Sequence, residues 1–250
     1  MTPAAAEGAT ASGDGDSATA SPVAMLLRVL GALVAIAVIV AVVWRWRVNG
    51  WGSLVWLASA FAVPIIRAPF ARENATNTIV ARRTEGQERI LLAIVGIGAG
   101  VVPLAHLATG LFGVADYDLP DWATAIGVVM MIVGLWMFRR THVDLGRNWS
   151  VTLEVRDEHT LTTTGIYSKI RHPMYTSLFA TYLATPLLVH NWIAGFVGVV
   201  SFAVMYVLRV PHEEQMMDEL FGEQYDAYCS RTGRLLPRVG RATTPTHPTG

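Results

Sequence analysis

The sequence predicts an all-α integral membrane protein of about six transmembrane helices; five helices plus a re-entrant segment is the alternative. Three observations carry this. Of 250 residues, 52% are hydrophobic and only 15% charged, against roughly a quarter charged in ordinary soluble domains. The apolar residues fall in long uninterrupted runs, and the charges collect in blocks between them.

Residues 1–22 hold Glu7, Asp14 and Asp16 among Ala, Gly, Ser and Thr, with no aromatic residue. Such a segment buries too little surface to offset its ordering entropy, and a disordered tail is expected. Residues 241–250 are expected to be a second one. Between them, 23–138 is expected to hold helices 1–4 and 139–240 to hold helices 5 and 6. Val23–Val43 is apolar except for Arg28, which sits early enough to snorkel. Trp51–Ile66 is a shorter apolar run ending near Pro64 and Arg67. Ile90–Ala115 is free of charge over 26 positions, and Pro120–Phe138 carries only Asp121. His172–Leu208 runs 37 residues without Asp, Glu, Lys or Arg, interrupted by His190, Asn191 and Trp192. As one helix this would reach about 55 Å at 1.5 Å per residue, so two antiparallel spans joined by a tight turn fit better.

The loops give an orientation. Asp116, Asp118 and Asp121 make one loop purely acidic, whereas 67–89 carries five Arg against three Glu and 139–171 six Lys/Arg against four acids. The positive-inside rule places those two segments and the C-terminal tail in the cytoplasm. If Trp51–Ile66 spans, the amino end is cytoplasmic and Arg45 and Arg47 lie outside; if it is re-entrant, the amino end is outside.

The composition excludes some functions. With 19 basic and 19 acidic residues, no nucleic-acid partner is expected, since binders normally show a basic excess. Cys229 is the only cysteine, so neither an internal disulfide framework nor a thiolate zinc cluster can form. The scattered histidines show no ligand spacing, and no metal is expected; His106 fits a hydrogen-bonded interior histidine. Gly96, Gly98 and Gly100 lie inside an apolar run without the strand a nucleotide loop needs, which points to close helix packing.

Chemistry-bearing residues gather on both sides of the charge-free stretch. His159-Thr-Leu-Thr leads through Gly165-Ile-Tyr167 to Arg171-His172-Pro173-Met174-Tyr175, and Arg209-Val-Pro-His-Glu213-Glu214 leaves it. A hairpin returns the chain to the same side, so both clusters meet at one membrane boundary, where partial desolvation strengthens electrostatic contacts. A simple juxtamembrane belt of anchors is the competing reading.

Over roughly residues 139–240 these pieces, followed by Phe221-Gly222 with Tyr225 and Tyr228 and then Arg234 and Pro237, resemble the isoprenylcysteine carboxyl methyltransferase family. Its wider group of integral-membrane methyltransferases includes the phospholipid N-methyltransferases. Two departures are Ser177, where the signature commonly has Gly, and Pro211 inside the Arg209-to-Glu213 element. The resemblance implies methyl transfer from S-adenosylmethionine. It implies that His159, Thr160, Leu161, Thr162 and Tyr167 line the cofactor, that His172, Pro173, Met174 and Tyr175 close over it, and that Glu213 holds it. Arg209 matches a substrate-facing, catalytic arginine able to pair a carboxylate bidentately. A polar-aromatic motif at Arg147-Asn148-Trp149-Ser150 is a further candidate for cofactor or substrate contact. The expected acceptor is a lipophilic or lipidated substrate drawn from the membrane lipids, methylated on a carboxyl group. A phospholipid amine, a small thiol, and an NADPH-dependent reductase resembling the membrane sterol reductases are the alternatives. An amine would need a base, for which Glu214 or a histidine is available. The localisation expected is multi-pass membrane, with the cofactor site on the cytoplasmic side.

Overall fold

The structure, a computed structural model, describes residues 22–74, 79–82, 85–146, 154–156 and 160–238. Residues 1–21 and 239–250, on which the expected tails fall almost entirely, lie outside the described residues. The chain divides into two compact units at Ala37 and Val38, inside the first helix. Pro22 already belongs to that helix, α1, which runs Pro22–Trp44; its portion in the first unit is apolar throughout apart from Arg28.

The second unit contains everything else. A short turn of helix, α2 (Trp46–Asn49), ends at Gly50, whose φ of 78° suits a residue without Cβ. Helix α3 then runs unbroken through Gly52–Asn74, with Pro64 and Pro69 inside it. The short apolar run Trp51–Ile66 is therefore part of a 23-residue helix long and apolar enough to cross a membrane. A polar tail of Arg and Asn hid its true length. Helix α4 (Glu85–Gly96) passes through a widened π turn at Ile97–Val101 into α5 (Val102–Thr109). Pro103 has no N–H and its ring crowds the carbonyl four residues back, which an enlarged turn relieves. Helices α6 (Asp121–Leu145), α7 (Pro173–Val189), α8 (Trp192–Phe221) and α9 (Glu223–Arg231) complete the helical set.

Five of these segments are long and apolar enough to cross a membrane: Val23–Trp44, Gly52–Arg72, Gly86–Thr109, Asp121–Leu145 and Trp192–Phe221. Helix α7 is apolar but only 17 residues long, just short of the usual span. The chain is a multi-pass, nearly all-helical membrane protein. One departure from all-α is a short antiparallel pair, β1 (Ile79–Arg82) with β2 (Glu154–Arg156), in which Arg82 lies opposite Glu154. Backbone hydrogen bonding outside the apolar runs is free to choose a ladder, and this one joins the two Arg-bearing connecting segments.

Packing follows the small residues. On α6, Thr124, Gly127, Met131, Gly134 and Phe138 recur at helical spacing and are buried, while Val129, Ile132 and Trp136 point outward. A Cβ on Gly134 would come 2.6 Å from the Thr181 methyl, and one on Gly127 would come 2.7 Å from Leu187. Small residues thus let α6 and α7 approach closely, as in membrane helix pairs generally. In the Gly-x-Gly-x-Gly run only Gly98 serves this purpose. Its Cβ would lie 2.6 Å from Ser201 Oγ, whereas Gly96 and Gly100 face open space. Ser177, fully buried, donates to the Met174 carbonyl at 2.6 Å, so its hydroxyl is satisfied within its own helix.

The α7–α8 turn forms where the sequence places it. Asn191 accepts from the Ile193 and Ala194 amides as the cap of α8 and donates to Phe112 O and Asp116 Oδ1. Buried His106 hydrogen-bonds through Nδ1 to the Leu111 carbonyl at 2.7 Å. Tyr117 donates to Pro186 O at 2.6 Å. These bonds lock the α5–α6 connection onto the turn, fixing the hairpin at that end and leaving its other end to build the site.

Candidate functional site

Three pieces of chain converge where α7 begins and α8 ends. A 3-10 turn at Gly165–Ser168 leads into α7. It is anchored by Asp144 at the end of α6, which accepts from the Ile166 amide at 2.8 Å and pairs with Arg140. Gly165 is required here: its φ is 59°, and a Cβ would fall 2.2 Å from the Asp144 carboxylate. The third piece is the segment after α9. Gly233 accepts from the Arg171 amide at 2.8 Å, Arg234 O accepts from the His172 amide at 3.0 Å, and Leu235 O accepts from Thr176 Oγ1 at 2.6 Å. The chain after α9 is thereby stitched along the entrance to α7.

Glu214 is the electrostatic centre of this junction. It accepts from His172 Nε2 at 3.1 Å and from Arg234 through both Nε, at 3.0 Å, and Nη2. Arg171 Nε stands 3.6 Å from the same carboxylate, while its Nη1 donates to the Cys229 and Thr232 carbonyls. The Glu214 contact pushes the Arg234 guanidinium pKa upward. Its neighbour Glu213 turns the other way and accepts from the Tyr175 hydroxyl at 2.8 Å. The Tyr175 ring lies edge-on to His172, with centroids 5.7 Å apart.

Arg209, one turn earlier on α8, does not pair with Glu213. Its Nη1 reaches Glu88 Oε1 on α4 at 3.1 Å. Helix α8 continues through Pro211 without a break, so the proline leaves the helical register intact. The absence of the Arg209–Glu213 pair is a matter of side-chain direction. Arg209 and Glu88 stand in the wall of a groove between α4 and α8 that also involves Leu91, Met205, Leu208 and His212. The surface that the groove exposes is mostly apolar.

Of the residues singled out from sequence, Tyr167, His172, Tyr175, Glu213 and Arg209 come together. Tyr167 is buried and feels the Glu213 charge, and burial first, then Glu213, raises its pKa. The Tyr175 hydroxyl lies within electrostatic reach of Glu213, Arg209 and Glu88. Pro173 occupies the first turn of α7, where its missing N–H costs nothing, and Met174 beside it is half-buried. Leu161 and Thr162 are half-buried and Thr160 exposed in the extended chain before the 3-10 turn. His159 and the Arg147-Asn148-Trp149-Ser150 motif lie outside the described residues. Tyr225 and Tyr228 are the buried residues of α9, and Tyr228 donates to Tyr167 O at 2.6 Å. Burial lifts the Tyr228 pKa to about 12.

Sequence reasoning missed Glu88 as a partner of Arg209 and the convergence of Arg171 and Arg234 on Glu214. Glu88 was counted only as loop charge, although its position two residues before a charge-free run was a signal. Arg67 was likewise read as a flanking charge; its guanidinium lies over the Phe138 ring at 5.6 Å, inside α3. Among the described residues, no three His, Cys, Asp or Glu side chains converge as metal ligands do.

Parts of the chain are similar to known proteins. Residues 122–224 match the phospholipid methyltransferase family model. The chain is 28% identical over 120 residues to protein-S-isoprenylcysteine O-methyltransferase B of Arabidopsis thaliana, covering 47% of this chain and 61% of that protein. It is 31% identical over 120 residues to protein-S-isoprenylcysteine O-methyltransferase of Mus musculus, covering 47% and 42%. A solved structure of a eukaryotic intramembrane Ras methyltransferase, isoprenylcysteine carboxyl methyltransferase, aligns with a TM-score of 0.46 at 21% identity, covering 74% of this chain and 63% of that one. The alignments thus span 61% or less of the curated relatives' own length. The segment that carries α6 to α8 and the Glu213–Glu214 junction is therefore similar to the phospholipid methyltransferase family model and to the isoprenylcysteine O-methyltransferases.

Proposed function

We propose that this chain is an S-adenosylmethionine-dependent methyltransferase that methylates a carboxyl group on a lipophilic substrate held in the membrane. The observation that carries the reading is the hairpin geometry. Helices α7 and α8 bring His172, Tyr175, Glu213 and Arg209 to one junction, with Arg209 facing an apolar groove.

The donor set fits the cofactor. A half-buried carboxylate at Glu213 suits an ammonium or sulfonium, the Tyr167 and Tyr175 rings suit a flat base, and the Thr160 and Thr162 hydroxyls suit ribose. His159, Leu161, His172, Pro173 and Met174 complete the proposed cofactor residues. When bound, the cofactor supplies an electrophilic methyl group on a cationic sulfur. The chain's own part is to orient and to exclude water, contributions that lower a barrier without a proton transfer. Arg209 would hold the acceptor carboxylate by charge-assisted hydrogen bonds.

The engagement of Glu214 favours a carboxylate acceptor over an amine. An amine must lose a proton to a base, and Glu214 is already tied to His172, Arg234 and Arg171. The relatives are named isoprenylcysteine O-methyltransferases, which supports an S-prenylated cysteine carboxylate as the acceptor class and does not favour a reductase. We place the cofactor junction on the cytoplasmic side, from the Arg-rich connections joined by β1 and β2. Residues 139–240 would form the catalytic region, with the preceding helices shaping the acceptor site.

The test is thermal unfolding of the detergent-purified chain with S-adenosylhomocysteine and, separately, NADPH. At about 100 times its dissociation constant a ligand adds ~2.7 kcal/mol. Stabilisation by S-adenosylhomocysteine, weakened in Glu213→Gln, is expected. No shift, or an equal shift in that variant, sinks the reading. Labelled methyl transfer to an S-prenylcysteine, compared with phosphatidylethanolamine vesicles, then separates carboxyl from amine acceptors.

A further inference from the structure

Glu88 is an acidic residue only 4% exposed, on a helix long and apolar enough to cross a membrane. Ionisable groups in such positions are expensive and are kept where they act. Its carboxylate stands 3.1 Å from Arg209 Nη1, and the two side chains are 5% and 11% exposed. Both line the α4–α8 groove, together with Leu91, Met205 and Leu208 and the polar side chains of Gln87 and His212. An arginine so placed on a long, flexible stem would otherwise turn its guanidinium toward water. A carboxylate from the facing helix holds it against the groove instead.

We propose that Glu88 is the positioning residue for Arg209: it fixes the guanidinium on the groove wall, in the orientation from which it recognises an anionic acceptor. This inference rests on the reading of Arg209 as the acceptor-carboxylate ligand. Glu88 touches neither reactant in this account. It belongs to α4, outside the segment that matches the methyltransferase family model, and so ties acceptor recognition to the amino-terminal half of the chain. The Tyr175 hydroxyl lies within electrostatic reach of both members of the pair. The pair therefore adjoins the residue that contacts Glu213, and neither Arg209 nor Glu88 takes part in the Tyr175–Glu213 hydrogen bond itself.

The experiment measures binding to the full-length protein in detergent of two probes, N-acetyl-S-farnesylcysteine and its methyl ester. Only the acid carries the charge Arg209 would recognise, so the acid-to-ester affinity ratio isolates that contact from burial of the prenyl chain. S-adenosylhomocysteine affinity serves as the control for the intact cofactor junction. In Glu88→Gln the acid-to-ester ratio should fall roughly tenfold or more, with S-adenosylhomocysteine affinity unchanged within about twofold. Glu88→Asp should recover part of the ratio. A purely structural role would lower both affinities together and leave the ratio alone.

A second arm covers the case in which Glu88→Gln folds poorly with Arg209 left buried. Arg209→Gln and the double variant Arg209→Gln/Glu88→Gln remove the charged partner first. If Glu88 acts through Arg209, the second substitution leaves the acid-to-ester ratio where Arg209→Gln put it. A wild-type ratio in Glu88→Gln, or a further change of ratio in the double variant, overturns the inference. A wild-type protein that does not distinguish acid from ester overturns the acceptor reading itself, and the role of Glu88 goes with it.

Discussion

Replacing Glu214 with Gln keeps the side-chain shape and removes the one charge on which three cationic or hydrogen-bonding groups converge. Each contact has a different weight. Arg234 is half-exposed at 52%, and an exposed pair is worth less than about 1 kcal/mol. The His172 bond is made by a side chain only 8% exposed, and a hydrogen bond to a charged acceptor is worth about 1.5–3 kcal/mol. Arg171 is 14% exposed; it keeps its bonds to Cys229 O and Thr232 O but loses its nearest counter-charge. A neutral amide still accepts one hydrogen bond, so the net loss should be about 3 kcal/mol rather than the full sum. For a chain of this size each kcal/mol moves Tm by about 2–4 °C, which gives a fall of roughly 6–12 °C. The single cysteine provides the assay. Cys229 lies on α9 beside Arg171 and is only partly exposed, so a thiol-reactive fluorophore reports its release on heating. Arg234→Ala should cost no more than a third as much. Equal losses from the two substitutions, or a fall below 2 °C for Glu214→Gln, would refute this assignment of weight to the buried contacts.

The glycines offer a paired test. A Cβ at position 52 would meet the Leu188 carbonyl at 2.6 Å and Thr124 at 2.9 Å, while one at position 96 meets nothing. Gly52→Ala should therefore destabilise by about 1–3 kcal/mol through overpacking against backbone, and Gly96→Ala should stabilise by up to about 1 kcal/mol through helix propensity. Thermal unfolding of the two variants reads the difference, and a loss from Gly96→Ala contradicts it. Tyr228, with its pKa lifted to about 12 by burial, keeps its proton in the folded state at pH values where an unfolded tyrosine ionises near 10. The folded state then binds more protons than the unfolded one, so stability declines as pH rises from about 10 to 12. Tyrosinate absorbance should show a late-titrating group that Tyr228→Phe removes.

The spans were legible because membrane insertion acts on single segments. Val23–Val43, Pro120–Phe138 and the His172–Leu208 hairpin all appear where the charge-free runs lie, and His190 and Asn191 form the expected turn. At Trp51–Ile66 the same reasoning left two readings open, a span and a re-entrant segment. Helix α3 extends past its apolar run into Arg72 and Asn74, because a helix end outside the hydrocarbon is not limited by hydropathy. The β1–β2 pair was invisible for a related reason: four residues pair with three more than seventy positions away, and neither segment shows a strand pattern of its own.

The site divides along the same line. Sequence order alone was enough to bring Tyr175 and Glu213 to one junction, since a helical hairpin must return its end near its beginning. It was also enough to nominate Arg209 and His172. Only the tertiary structure decided the partners. Glu213 turns to Tyr175, Glu214 to His172 and Arg234, and Arg209 leaves its own helix neighbours for Glu88. The physical reason is that hydropathy and hairpin connectivity are properties of the chain, whereas a charged side chain in a poorly solvated interior takes whichever counter-charge the packed helices present. Successive residues on α8 point about 100° apart, so the choice of partner depends on which helix stands on each side. That arrangement was set by close packing through residues such as Gly98 and Gly134, and no local pattern of charges announces it.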